Sequence, residues 1–466
     1  MAVAAAAGLG FASQPLMAAT FTVNTFTDAG GTCPTTCTLR DAITKAELTD
    51  AADVIKFVTP TTAMGPQTIT LTANLPLIER PLTITGVPGP KRRLITVDGA
   101  DTFRMFRIDT LVPGMDVKIS DLTMANGFAG ANRGGCIYAR HPDLILSNVS
   151  ITSCGTNVNG GGIALRGFAT LNMTDSLLSD NGAGGNGGGL YAQTFTAATP
   201  ITIRNSSISH NGAGSNGGGL FLDVGSPVLI ENTSLYYNNT GIMSHQQGGG
   251  IYILDTGGNG KITIRNSTLT ENSAEHGGGI AGNVTGGRLE VDNSTLARNN
   301  AYYDGAGIHS NDTSGLLRIR NSTIAENNQY FGGSGTGGGG LYINDTDGVL
   351  LLNSIVQDNL SAASANPDLM GTAFVTENSI IGNTTGATII GLAIDPATFL
   401  GGFADHGGPT ATFATYTGTP IDNGDAAACS AINGNRDQRG VLRNVDARGD
   451  GSKACDIGAY EFNGRV

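Results

Sequence analysis

The sequence predicts an all-β fold, a parallel β-helix solenoid closed by N-terminal and C-terminal caps, and three observations carry that prediction. The first is a recurring Gly-rich step that ends in Ile or Leu. It appears at Gly134-Gly-Cys-Ile137, Gly160-Gly-Gly-Ile163, Gly187-Gly-Gly-Leu190, Gly217-Gly-Gly-Leu220, Gly248-Gly-Gly-Ile251, Gly277-Gly-Gly-Ile280, Gly305-Ala-Gly-Ile308 and Gly338-Gly-Gly-Leu341. Successive Ile/Leu positions are 26, 27, 30, 31, 29, 28 and 33 residues apart. A loose period under about 35 residues marks a solenoid, in which each repeat buries its apolar face against its neighbours. The second is an Asn-Ser-Thr-Ile/Leu phrase with another Asn three residues on. It starts at Asp121, Asn148, Asp175, Asn205, Asn232, Asn266, Asn293, Asn321, Asn353 and Asn378. The third is period-2 alternation in short β-rich runs such as Ile201-Thr-Ile-Arg-Asn205 and Leu317-Arg-Ile-Arg-Asn321, which describes strands with one buried face. With 70 glycines and no 3.6 period, helical repeats are excluded.

The elements follow in order. Residues 1–19 are small and apolar and end Met17-Ala-Ala19, like the later part of a secretory signal, although no Lys or Arg precedes them. Residues 20–99 read as an N-terminal cap and first coils. Thr38 is placed as N-cap of a helix over roughly 39–48, with Asp41 three residues on. Strands are expected at Gln67–Leu71, Leu82–Ile84 and Leu94–Val97. Residues 100–399 hold the regular coils, about ten of them and roughly 50 Å long at about 4.8 Å per coil. Residues 400–466 lose the pattern and read as the cap that an open end coil needs.

Six cysteines fall as three sequence-near pairs, Cys33 with Cys37, Cys136 with Cys154 and Cys429 with Cys455, which describes an oxidised framework. The front pair stands apart from any His, so a metal reading of it is weak. No cofactor motif occurs. The formal charge of −12 and the lack of a basic stripe exclude nucleic acid. No apolar run is long enough for a transmembrane helix.

Cys37-Thr-Leu-Arg-Asp-Ala-Ile43 resembles the motif of the CSLREA-domain family of exported bacterial proteins. Gly408-Pro-Thr, Pro420-Ile-Asp-Asn-Gly424, Asp437-Gln-Arg-Gly440 and Asp456-Ile-Gly-Ala-Tyr-Glu461 resemble the choice-of-anchor domain that accompanies many of them. The Gly-Gly-x-Ile steps resemble the repeats of polymorphic outer-membrane proteins. These resemblances imply a right-handed, pectate-lyase-like β-helix outside the cell or on its surface. They imply no activity, and the ending Phe-Asn-Gly-Arg-Val466 offers no hydrophobic tail for covalent anchoring.

Solenoids display columns of like residues, and function must be sought there. Arg204, Glu231, Arg265, Asp292 and Arg320 alternate in sign, which suits cross-strand pairing better than a ligand groove. The buried Asn of the second phrase is expected to form an amide ladder, which explains the Asn-Ser-Thr better than glycosylation. Asp180, His210, Tyr237, Glu271, Arg298, Glu326 and Asp358 form an outward column whose carboxylates on neighbouring coils could serve acid/base hydrolysis of a sugar chain, but Glu271, Arg298 and Glu326 again alternate in sign, which suits solvated pairing better. Asn344-Asp-Thr-Asp-Gly348 has part of a calcium loop, and Arg448-Gly-Asp450 reads as chance.

The most suggestive column is Tyr138, Tyr191, Phe221, Tyr252 and Tyr342, flanked by Arg140, Arg166, Asp223 and Asn344. Alternation turns it outward once Ile137, Leu190, Leu220, Ile251 and Leu341 are core. A solvent-accessible aromatic row beside polar groups suits a polysaccharide or cell-surface glycan. Three functions therefore compete. One is a secreted or surface, adhesin-like module that binds glycans without chemistry. The second is a polysaccharide lyase or glycoside hydrolase. The third is a structural fibre or coat component that self-associates through its ends.

Overall fold

Four short strands build each of the eight coils between Ile137 and Ser361. In one coil they are Ile163–Gly167, Thr170–Thr174, Leu177–Ser179 and Gly182–Ala183, and the chain then re-enters the first position at Leu190–Thr194. Each strand pairs in parallel with its equivalent one coil on: Ile163 with Leu190, Leu171 with Ile201, Leu178 with Ile208 and Gly182 with Gly212. The result is a right-handed parallel β-helix of about 10 turns. This computed structural model describes residues 17–463, apart from 60–64, 89–92, 195–198, 242–244, 256–259, 285–287, 312–315, 332–336, 345–347, 363–366, 395–399, 433, 444, 450 and 452. The start of the signal-like segment, the middle of the calcium-like loop and Asp450 lie outside the described residues.

Residue chemistry makes the corners. Gly160, which opens a Gly step, has φ +77°, and a Cβ on Gly161 would stand 2.3 Å from the carbonyl of Gly188 in the next coil. Only hydrogen fits between coils packed so closely. The Asn/Asp column from Asp121 to Asn378 sits at φ between 43° and 56°, a left-handed region those side chains tolerate best. The Ser after it supports the turn. The Ser206 hydroxyl accepts from Ser176 N–H at 3.2 Å, and Ser294 does the same for Ser267 at 3.2 Å.

The continuous amide ladder is built by the later Asn of the phrase, while the first column makes only isolated contacts of this kind, Asn148 Nδ2 to Asp121 Oδ1 at 2.6 Å, Asn232 Nδ2 to Asn205 Oδ1 at 3.1 Å and Asn293 Nδ2 to Asn266 Oδ1 at 3.4 Å. The first column passes from exposed at Asn205 to buried at Asn266, Asn293, Asn321 and Asn353, whereas the later Asn of the phrase is buried at every rung from Asn181 to Asn359. Nδ2 of Asn181 donates to Oδ1 of Asn211 at 2.9 Å, and Asn211, Asn238, Asn272, Asn299 and Asn327 pass the contact on at 2.8 to 3.0 Å. The first Asn is consumed as a turn former; the later one points into the core, where an amide must be satisfied. The sign-alternating column is paired: Arg204 and Arg265 both donate from Nε to Glu231 at 2.9 Å, and Arg320 to Asp292 at 2.8 Å.

At the N-terminus, α1 (Leu39–Ala46) starts at Thr38, which forms a capping box with Asp41. Arg40 pairs with Asp28 at 2.7 Å. The strands at Gln67–Thr70, Leu82–Thr85 and Ile95–Asp98 are already stacked coils. All three cysteine pairs are bonded.

The C-terminal segment, expected as an end cap, packs along the flank. Gln438 donates to Thr268 at 2.9 Å and accepts from Thr295 at 2.7 Å; Ala459 N–H donates to Thr323 at 3.1 Å. Arg443, fully buried, reaches Asn293 at 3.1 Å. This segment also contains a second short helix, α2 (Ala426–Ser430), that the sequence pattern did not predict. The final coil strand, Ala387–Ile394, exposes Ile390 and Leu392. Among the described residues no helix is long and apolar enough to cross a membrane.

Candidate functional site

The outward column beside the Gly step is continuous in register. It runs Arg107, Tyr138, Ala164, Tyr191, Phe221, Tyr252, Ala281, His309, Tyr342. Alternation places it outside the main core, as expected, but the middle of it is not accessible. Tyr191, Phe221 and Tyr252 are 4%, 5% and 9% exposed. Their rings stack at 5.2 and 5.4 Å, and Ala164 and Ala281 complete a small satellite core. Rings one coil apart stand at stacking distance, so each ring covers the next and water is excluded. Burial raises the hydroxyl pKa of Tyr191 and Tyr252. The expected accessible aromatic row is therefore corrected to a closed stack.

The C-terminal end of the column is also occupied by its own neighbours. Tyr342, half-buried, stacks on His309 at 5.1 Å. Burial lowers the His309 imidazole to about 4. Asn344 is exposed, its N–H bound to the carbonyl of Ser310. Asp223 accepts from Gln193 at 3.0 Å, and Arg166 lies in register between Arg140 and Gln193.

The N-terminal end is open. A cleft of about 640 Å³ is lined there by Arg104, Arg107, Arg133, Arg140, Tyr138, Asp109 and two asparagines, Asn74 and Asn132, among others. Arg107 and Asp109 come from the strand Phe106–Asp109, and Tyr138 and Arg140 from Ile137–Arg140; Arg107 stands opposite Tyr138 and Asp109 opposite Arg140. Arg104 is pinned by the carbonyls of Gly134 and Arg133, at 2.8 and 2.7 Å, with its guanidinium 5.6 Å from the centre of the Tyr138 ring. Arg133 lies 5.7 Å from the Tyr191 ring. Burial, then the charge of Arg107, pulls Arg104 below the ordinary guanidinium value, though it stays charged. Asp109 is the lining carboxylate, 3.5 Å from Arg140. Among the described residues, no carboxylate lies within ion-pair distance of Arg104, Arg107 or Arg133.

Of the residues expected to bind a ligand, the cleft unites Tyr138 and Arg140; the others lie further along the face. Sequence reasoning missed Arg104, Arg107 and Arg133. Phe103-Arg-Met-Phe-Arg-Ile-Asp109 does alternate, but its coil lacks the Gly-Gly step that set the register. Arg133 precedes the Gly corner and so belongs to no strand column.

Chemically, four guanidiniums against one carboxylate on a chain of net charge −12 form a local positive focus. They can hold carboxylate or sulfate oxygens by charge-assisted, forked hydrogen bonds. Tyr138 adds an aromatic edge for a sugar face.

The model of the right-handed beta helix region matches residues 111–324 and 194–393. No curated protein matches the sequence. Among solved structures the chain is similar to pectate lyase Pel9A, at 15% identity over 96% of each chain and a TM-score of 0.38. The repeat match spans more than half of the sequence, and the chain belongs to the right-handed β-helix region family.

Proposed function

We propose that the protein is an extracellular or surface glycan-binding module whose ligand is an acidic polysaccharide, held without chemistry in the arginine cleft. The single observation that carries this reading is the excess of guanidinium over carboxylate in a cleft that also presents Tyr138. Three disulfides fit an oxidising compartment, and the resemblance to exported bacterial proteins belongs to the same reading. One lining carboxylate, already facing Arg140, is a poor basis for the two-carboxylate work of a glycosidase.

Calorimetric titration with polygalacturonate and with a neutral glucan tests the proposal. The polyuronate should bind and the glucan should not, and added salt should weaken binding. Arg107→Ala and Arg133→Ala should each weaken it about tenfold, a loss of about 1.4 kcal/mol. Release of unsaturated or reducing ends during the titration would support the lyase or hydrolase reading instead. Equal binding of both polymers would overturn the role of the arginines.

A further inference from the structure

Two adjacent coils bring a second set of chemical groups together, away from the arginine cleft. His276 ends the strand Ser273–His276 and Asp304 ends Asn300–Asp304, and the two are register partners. Both stand immediately before a Gly corner. The corner after Asp304 is tight: Gly305 has φ +59°, and a Cβ on it would meet the His309 Cβ at 2.8 Å. That turn folds His309 back towards Asp304. His276 Nδ1 lies 3.0 Å from Asp304 Oδ2, and His309 Nδ1 lies 3.6 Å from the same oxygen. One ligand atom from each of the three falls within 4.8 Å of the others.

We propose that His276, Asp304 and His309 bind a divalent first-row transition metal, with Zn²⁺ as the best fit. Two imidazoles and a carboxylate are the donor set such ions prefer. Ligands about 2.0–2.1 Å from a tetrahedral zinc stand about 3.3 Å from one another, and the two donor distances bracket that value. A second observation points the same way. His309 is 2% exposed, and its Nδ1 is buried without a hydrogen-bond partner. A buried polar atom in that state costs stability unless something binds it. The outer ring nitrogen is already held, with Nε2 2.8 Å from the Asn311 side-chain amide. A metal-bound imidazole needs such a partner to fix its orientation. Tyr303 and Tyr342 wall the site, at 5.2 Å from His276 and 5.1 Å from His309. His245 and Glu275 form an overlapping set with His276 and are the rival ligands.

The test uses the full chain, stripped with a chelator and titrated with Zn²⁺ by calorimetry. Co²⁺ provides a second probe through its d–d absorption bands. The expected result is saturable one-to-one binding with tetrahedral Co²⁺ bands. His276→Gln and Asp304→Asn should each weaken Zn²⁺ binding at least about tenfold and alter the bands, while His210→Gln and His141→Gln leave both unchanged. His309→Gln should behave like Asp304→Asn; if its burial prevents folding, the two more exposed ligands still decide the matter. Absence of saturable binding overturns the proposal. So does binding that survives Asp304→Asn and His276→Gln, or that is lost in His245→Gln but kept in Asp304→Asn.

Discussion

Asn359 donates from Nδ2 to Oδ1 of Asp368 at 2.8 Å, and its backbone N–H reaches the same oxygen at 3.1 Å. The amide ladder that begins at Asn181 thus ends on a buried carboxyl rather than on another amide. Burial, with a smaller contribution from Asp358, pushes Asp368 up to about 6 despite those donors. The folded state then holds its proton more tightly than the unfolded chain does. Stability from this group is full below the unfolded value of 3.8 and is lost as pH rises through about 6. Asp368→Asn keeps an acceptor and removes the titration. Its denaturation midpoint should therefore vary less than wild type between about pH 4 and about pH 7. Asp368→Leu strands both donors and should cost about 1–3 kcal/mol.

The closed aromatic stack makes Phe221 a structural residue. Phe221→Ala removes the middle ring between Tyr191 and Tyr252 and should lower stability by about 3 kcal/mol. Polyuronate binding by the folded fraction should stay close to wild type, because the stack lies outside the cleft lining. Thermal melting alongside calorimetry checks both parts. An unchanged melting temperature would mean the stack contributes nothing.

Cys136 and Cys154 are 0% and 1% exposed and join a Gly corner to the next coil across 18 residues. Replacing both with Ala or Ser should cost about 2–4 kcal/mol, whereas removing Cys33–Cys37, which closes 4 residues, should cost less. Urea midpoints of the two double variants give the comparison.

Arg443 is fully buried, donates to the carbonyls of Asp456 and Gly458 at 3.1 and 2.7 Å, and faces Glu461. Arg443→Met should cost about 1–3 kcal/mol by leaving the buried carbonyls of Asp456 and Gly458 without this donor. Limited proteolysis should then cut between 410 and 460 before it cuts the coils; simultaneous cleavage of both would contradict this.

Repetition explains what was legible. Eight Gly steps and a column of Asn/Asp turns fix period, strand direction and inward face without any long-range information. Three things lay beyond that pattern. Alternation assigns a side chain to a face, but whether Tyr191 meets water depends on Phe221 one coil away, which is a packing property. Likewise Asn205 and Asn211 are the same residue type six positions apart; only backbone geometry tells the turn former from the ladder rung. The cleft drew Arg104 and Arg133 from corners outside every column, and only Tyr138 and Arg140 were in view.

The flank-bound C-terminal segment changes how the solenoid can come apart. A stack of repeats normally opens one coil at a time from its ends. Here hydrogen bonds from residues 410–459 reach Thr268, Thr295, Thr323 and Asn353, on four successive coils. Those coils cannot unzip singly, because the first to leave must also release contacts that span 143 residues of sequence. Tension along the axis would lengthen the molecule from its N-terminal half, coil by coil, while the strapped block gave way last and in one step.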